Sequence, residues 1–171
     1  MLLRASRTDD LGPLRAFIDR CSPETLYRRF HGTGPQAIER ELTRIASPAD
    51  NHRSWVVVAG GEVRGTATLA LSRSGATEMA LLVEDHWFRR GIGRALMGEL
   101  IAHAERARLD AVTASVQADN ERAVRFIRAV APQASIRFVG GAELEVRIPM
   151  AVAVSGPSGP SRSSIPTREA A

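Results

Sequence analysis

Lysine is absent from this chain: all 23 basic side chains among its 171 residues are arginine. A phosphate loop built around a lysine and a Schiff-base mechanism are both excluded by that absence. Cysteine is scarce as well. Cys21 stands alone, so no internal disulfide can form, and with no matched histidine the thiol reads as small and buried rather than nucleophilic. Tyr27 is the single tyrosine, and aromatic residues make up only 5% of the chain, which leaves no aromatic platform for nucleic acid. No apolar run approaches the roughly 20 residues of a membrane helix. The opening "MLLRASRTDD" turns charged too early for a signal peptide. The expectation is a cytoplasmic protein that engages no membrane.

The net charge of +4 is not gathered in one place, because the 23 arginines are interleaved with 19 acidic residues. That pattern reads as a solvated mixed-charge surface, and no nucleic-acid partner is expected. His31, His52 and His103 have no metal-ligand spacing among themselves or with Cys21, so no metal is expected either. From Ala151 onward the sequence "AVAVSGPSGPSRSSIPTREAA" cannot bury enough apolar surface to offset its ordering entropy. Residues 1–150 are expected to form one domain and residues 151–171 a disordered tail.

Within residues 1–150 the patterning gives the order β-α-α-α-β-β-β-α-β-α-β-β. "LLRAS" reads as a short strand, followed by Thr8 as a helix N-cap with Asp9 and Asp10 in the dipole-favoured first turn. Ser22-Pro23 starts a second helix, "SPETLYRRF", "GTGP" breaks it, and a third runs from Pro35 to about Ile45, ended by Ser47-Pro48. "SWVVVAG", Gly60-Gly61 and "EVRGTATLALS" form an antiparallel hairpin, and Ser74-Gly75 turns the chain into the strand "TEMALLV". Later come a helix through about Arg106, the strand "DAVTASVQ", the helix "NERAVRFIRAV" and the hairpin "ASIRFVGGAELEVRIP".

The segment "EDHWFRRGIGRALMGEL" joins a strand to a helix through two glycines flanked by arginines. Unpaired N–H groups at a helix start, a positive dipole end and up to three guanidinium groups then surround one point, a combination suited to a polyphosphate. A dinucleotide fold is a poor match. Gly93 is followed by Arg94-Ala95-Leu96 rather than a third glycine, the motif lies mid-chain, and antiparallel strands precede it.

"LLVEDHWFRRGIGRALM", "VQADNERAVRFI" and "SPETLYRRFH" together resemble the GNAT superfamily of acyl-CoA-dependent N-acyltransferases, nearest to a bacterial subgroup that includes protein-lysine acetyltransferases. The resemblance covers roughly residues 2–149. It implies an α/β (α+β) fold with a mixed, mostly antiparallel V-shaped sheet that splits after its fourth strand. It further implies that acetyl-CoA serves as co-substrate, its pyrophosphate held by Arg89, Arg90, Gly91, Ile92, Gly93, Arg94 and Ala95. The main chain of Leu81, Leu82 and Val83 would hold the pantetheine arm, and Asn120 would contact the cofactor. In the family's glycine pattern the first position falls on Phe88 when the frame is set by Gly91. The shifted frame Arg90-x-x-Gly93-x-Ala95 fits.

Acetyl transfer to an amine needs a neutral nucleophile, and an alkyl amine is mostly protonated at neutral pH. Glu78, which interrupts the apolar strand "TEMALLV", matches the subgroup's general base and is expected to be partly buried, the setting in which a carboxylate best serves that task. The N–H of Val83, at an expected bulge in the fourth strand, would stabilise the oxyanion. Relatives commonly carry a tyrosine acid on the last helix. Ile127 occupies that position here, so no general acid is assigned. The acceptor is expected to be a primary amine, either a protein lysine or a small molecule, and a homodimer is admitted. Without the acid, a non-catalytic acyl-CoA sensor is the alternative reading.

Overall fold

The computed structural model describes residues 1–150 apart from 33, 48, 73 and 74. The expected tail lies outside the described residues, as do Thr33 of "GTGP", Pro48 of the Ser47-Pro48 break and Ser74 of the Ser74-Gly75 turn. Strand β1 (Leu2–Ala5) leads through a 3-10 turn, Thr8–Asp10, into helices α1 (Leu11–Arg20), α2 (Pro23–Phe30) and α3 (Pro35–Ala46). Three strands follow, β2 (His52–Ala59), β3 (Glu62–Leu71) and β4 (Thr77–Val83). Then come α4 (Ile92–Arg106), β5 (Ala111–Gln117), α5 (Glu121–Val130), β6 (Ser135–Gly140) and β7 (Glu143–Pro149). The element order is the expected one.

Thr8 does not cap α1. It opens the 3-10 turn, and the carboxylate of Asp10 does the ordering work instead, accepting the N–H of Arg7 at 2.7 Å and both terminal guanidinium nitrogens of Arg4 at 2.6 and 2.7 Å. A bidentate arginine four residues before the turn outcompetes a hydroxyl cap, and nothing in local spacing announces it. Ser22 behaves as expected, its hydroxyl accepting the N–H of Thr25 ahead of Pro23.

The seven strands form one sheet in the order β1-β2-β3-β4-β5-β7-β6. Every neighbouring pair is antiparallel except β4 and β5, which run parallel and meet only where Glu78 faces Thr113. β4 stays in register with β3 along its length while β5 is drawn into a seven-residue ladder with β7. The two therefore diverge toward their C-terminal ends, and the sheet opens as a V.

Side chains alternate across the sheet and build two cores. Trp55, Val57, Ala67, Leu69, Met79 and Val83 pack beneath α4 and α5 with Leu96, Leu100 and Ile127. Val56, Val63 and Leu82 face the other way, onto Leu14, Phe17, Phe30, Leu42 and Ile45 of α1 to α3. One approach is unusually close: a Cβ at Gly65 of β3 would lie 2.7 Å from Cγ2 of Ile92, so the absence of a side chain there lets the first turn of α4 sit directly on the sheet. Among the described residues no helix is long and apolar enough to cross a membrane.

Candidate active site

A cleft of about 1730 Å³ runs through the V, open on both faces of the sheet. Leu81 and Val83 supply its main-chain wall. The N–H of Glu84 bonds the carbonyl of Arg64 on β3 at 3.0 Å, and main-chain groups alternate sides along a strand. Those of Leu82 consequently turn toward β3, whereas those of Leu81 and Val83 turn into the split, where β5 has moved out of reach. Two expectations are corrected. Leu82 offers the cleft no main-chain hydrogen bond, and β4 carries no bulge at Val83, since its register with β3 is unbroken from Thr77 through Val83. The splay alone exposes the Val83 N–H.

Beside this wall the chain reverses into α4. Gly91 caps the helix at φ 83° and Arg89 adopts φ 60°, both left-handed, which turns the strand abruptly into the helix start. The first helical bond runs from Ala95 N–H to Gly91 C=O at 2.9 Å, so the N–H groups of Ile92, Gly93 and Arg94 have no partner within the helix. Gly91, Gly93, Arg89 and Arg94 line the cleft.

The remaining loop residues do other work. Ile92 is 1% exposed and belongs to the core, contributing only its main chain, and Ala95 contributes the first helical hydrogen bond. Arg90 lies over the Trp87 ring at 4.9 Å, with Arg64 at 5.1 Å from the same ring. Two of the three expected guanidinium groups therefore reach the cleft, while the third pins the loop. Phe88 packs as an anchor, with Arg122 over its ring at 4.5 Å. Asn120 lines the cleft and its Oδ1 accepts the N–H of Ala123 at 3.1 Å, so it also caps α5.

Glu78 stands on the opposite face, where β4 touches β5. It is exposed rather than partly buried, because small Ala70 beside it on β3 covers none of it, and no hydrogen bond or ion pair engages its carboxylate among the described residues. The carboxylate is open to whatever enters the cleft. Ile127 is 4% exposed and presents only a hydrocarbon wall. Cys21 is buried, and burial, with the carboxylates of Asp85 and Glu84 nearby, pushes its thiol up to about 12.

Sequence patterning gave no sign of two carboxylates that fix this geometry, because their partners lie 20 to 64 residues away. Glu84, 4% exposed, accepts from Arg64 Nη1 at 2.8 and 2.9 Å and from Arg20 Nε at 3.0 Å. Burial alone would raise its pKa, but the two arginines outweigh burial and hold it below the ordinary value. Asp85 accepts from the Ser22 N–H at 2.8 Å and from the hydroxyls of Ser22 and Thr25, both at 2.7 Å. Those bonds likewise outweigh burial and lower its pKa. Together the pair locks the end of β4 to α1, β3 and the start of α2.

The sequence model of the acetyltransferase (GNAT) family matches residues 20–130. No curated protein matches the chain. Among solved structures, the GNAT domain of S. lividans PAT is similar with a TM-score of 0.75 and 20% identity, covering 86% of this chain and 89% of that one. The ribosomal-protein-S18-alanine N-acetyltransferase from Escherichia coli superposes with a TM-score of 0.64 at 17% identity, covering 91% and 96%. The Thermoplasma acidophilum paia N-acetyltransferase, solved in complex with coenzyme A, does so with a TM-score of 0.65 at 12% identity, covering 87% and 99%.

Proposed function

Because the chain belongs to the acetyltransferase (GNAT) family and is an N-acetyltransferase, we propose that it moves an acetyl group from acetyl-CoA directly to a primary amine, with Glu78 as the general base. The observation that carries this reading is the junction at Glu78 and Thr113, where a free carboxylate on one face meets a split whose main-chain groups and helix start face the other.

The residues present fit acetyl-CoA, which would supply the activated acyl group as a thioester. Its pyrophosphate suits the free N–H groups of Ile92, Gly93 and Arg94 and the guanidinium groups of Arg89 and Arg94. The glycines allow that approach because they place no side chain between the amides and a phosphate oxygen. Main-chain groups of Leu81 and Val83 can pair with the amides of an extended arm, as a missing β-strand would. Asn120, at the start of α5, contributes its side-chain amide from the facing wall.

Glu78 takes a proton from the incoming ammonium and leaves a neutral amine beside the split. The N–H of Val83 donates to the thioester oxygen as negative charge gathers there. With Ile127 where an acidic hydroxyl would stand, the proton that nitrogen loses as the amide forms passes to solvent, and solvent protonates the departing thiolate. Initial rates measured with both substrates varied provide the test. Intersecting double-reciprocal lines are expected for direct transfer, and parallel lines would overturn it in favour of an acyl-enzyme.

A further inference from the structure

On the face that carries Glu78, the sheet beside it is small. His52, Ala70 and Glu78 are paired in one row across β2, β3 and β4, and Ser54, Thr68 and Ala80 form the next. At about 4.8 Å per strand, His52 and Glu78 stand roughly 10 Å apart with only Ala70 between them. The C-terminal end of α3 closes the far side, held there by the His52 Nε2–H, which donates to the Arg44 carbonyl at 2.7 Å.

That wall is charged, and its charges do not cancel. Glu41 accepts from Arg29 Nη2 at 2.8 Å and from Arg44 Nε and Nη2, both at 2.9 Å. One carboxylate thus serves two guanidinium groups, and all three residues line the cleft. The side chains of Arg29 and Glu41 are only 18% and 15% exposed while that of Arg44 is 40% exposed, so one positive charge is left over on a wall that is buried at Arg29 and open to the cleft at Arg44. An anion arriving from the cleft would relieve it, and the spare N–H groups are suited to a carboxylate. The pocket floor therefore separates a free carboxylate at Glu78 from an excess cation at Arg29 and Arg44.

We propose that the acceptor is a small amino acid, its amine at Glu78 and its own carboxylate at Arg29 and Arg44. This rests on the reading of Glu78 as the base and adds what recognises the rest of the molecule. A lysine within a protein brings an amine without a carboxylate a few bonds away, so it leaves the arginine pair unmatched.

The test compares free α-amino acids, their carboxamides and a lysine peptide blocked at both ends, following thiol release from acetyl-CoA. Calorimetry with the CoA-bound enzyme measures amino-acid binding independently of turnover. Free acids are expected to exceed their amides at least tenfold in kcat/KM, mainly through KM, and to bind at least tenfold more tightly. Arg44→Gln should narrow both ratios to about threefold or less, with Arg44→Lys between. Equal use of acids and amides by the wild-type enzyme, or better use of the blocked peptide, would overturn the amino-acid assignment while leaving the transferase reading intact. Tight acetyl-CoA binding without thiol release to any acceptor would overturn both. The wild-type ratios decide the matter even if a variant fails to fold.

Discussion

Gly93 lies against the ring of Phe126: a Cβ at residue 93 would stand 3.3 Å from Cζ and 3.4 Å from Cε2. The first turn of α4 and the middle of α5 meet there, on the donor side of the split. A branched side chain at this position would force the two helices apart and cover the amides proposed to face the pyrophosphate. Gly93→Val is expected to weaken acetyl-CoA binding about tenfold, roughly 1.4 kcal/mol, measured by calorimetry. An unchanged Kd in a well-folded variant would show that the pyrophosphate is held elsewhere.

Removing the proposed base should separate chemistry from binding. Glu78 touches no other described side chain through a hydrogen bond or ion pair, so Glu78→Gln has no structural network to disturb. Turnover is expected to fall by about 10²- to 10⁴-fold, the usual contribution of a positioned base. Acetyl-CoA affinity should stay within about twofold, since the proposed donor site lies on the other face. Full activity in this variant would remove Glu78 from the mechanism.

The order of elements was legible because each local signal agreed with its neighbours. Ser22-Pro23 caps as a cap should, and Gly60-Gly61 turns a hairpin. The loop glycines were legible for the same reason, as a turn into a helix start needs the φ of 83° that Gly91 adopts. What stayed hidden was set by distant contacts. Asp10 displaced Thr8 as the ordering group because Arg4 reaches it across the turn. Arg90, expected in the phosphate cradle, lies over the face of Trp87, Leu82 turned its main chain to β3, and Glu78 came out exposed beside Ala70. Strand alternation could have separated Leu82 from Leu81 and Val83, but only once the partner strand and register were known.

Gly65 is expected to be intolerant of even a methyl group. A Cβ there would meet Ile92 Cγ2 at 2.7 Å, Leu96 Cδ1 at 3.1 Å and the Leu82 carbonyl oxygen at 3.2 Å, and the last of these is backbone and cannot swing aside. Gly65→Ala should cost about 1 to 3 kcal/mol, the usual range for overpacking, seen as a lower urea midpoint with an unchanged slope. Because Ile92 opens α4, acetyl-CoA affinity should fall with it. A variant as stable as the parent would mean that α4 can lift without consequence.

Three carboxylates that are at least partly buried tie stability to acid. Asp10 is held below its ordinary pKa by its hydrogen bond to Arg4, against the opposing effect of burial. At Glu84 and Asp85 burial is the largest influence but is outweighed by their donors. A group whose pKa is lower folded than unfolded adds stability that is complete above the unfolded value, about 4, and is lost as pH falls through the folded value. Stability should therefore be flat near neutrality and decline below about pH 4. Glu84→Gln, which leaves Arg20 and Arg64 with only the more exposed carboxylate of Glu62 as counter-charge, should cost about 1 to 3 kcal/mol at pH 7 and flatten the acid decline, as followed by urea unfolding across pH. A decline as steep as that of the parent would place the acid sensitivity elsewhere.

Cys21 is the chain's single thiol and in that sense its strongest nucleophile for an acyl-enzyme, but its surroundings argue against that role. The thiol is buried, and that burial together with Asp85 and Glu84 pushes it up to about 12, so almost no thiolate exists at neutral pH. The folded protein should react with iodoacetamide far more slowly than the urea-unfolded chain at pH 8. Cys21→Ala should keep kcat within about twofold while losing roughly 1 kcal/mol of stability, as expected for trimming a small buried group. Both measurements are needed, because slow alkylation could reflect closure alone, whereas retained turnover without the sulfur leaves no covalent route through it. Loss of activity in a folded Cys21→Ala protein, accompanied by parallel initial-rate lines, would replace direct transfer by a two-step mechanism.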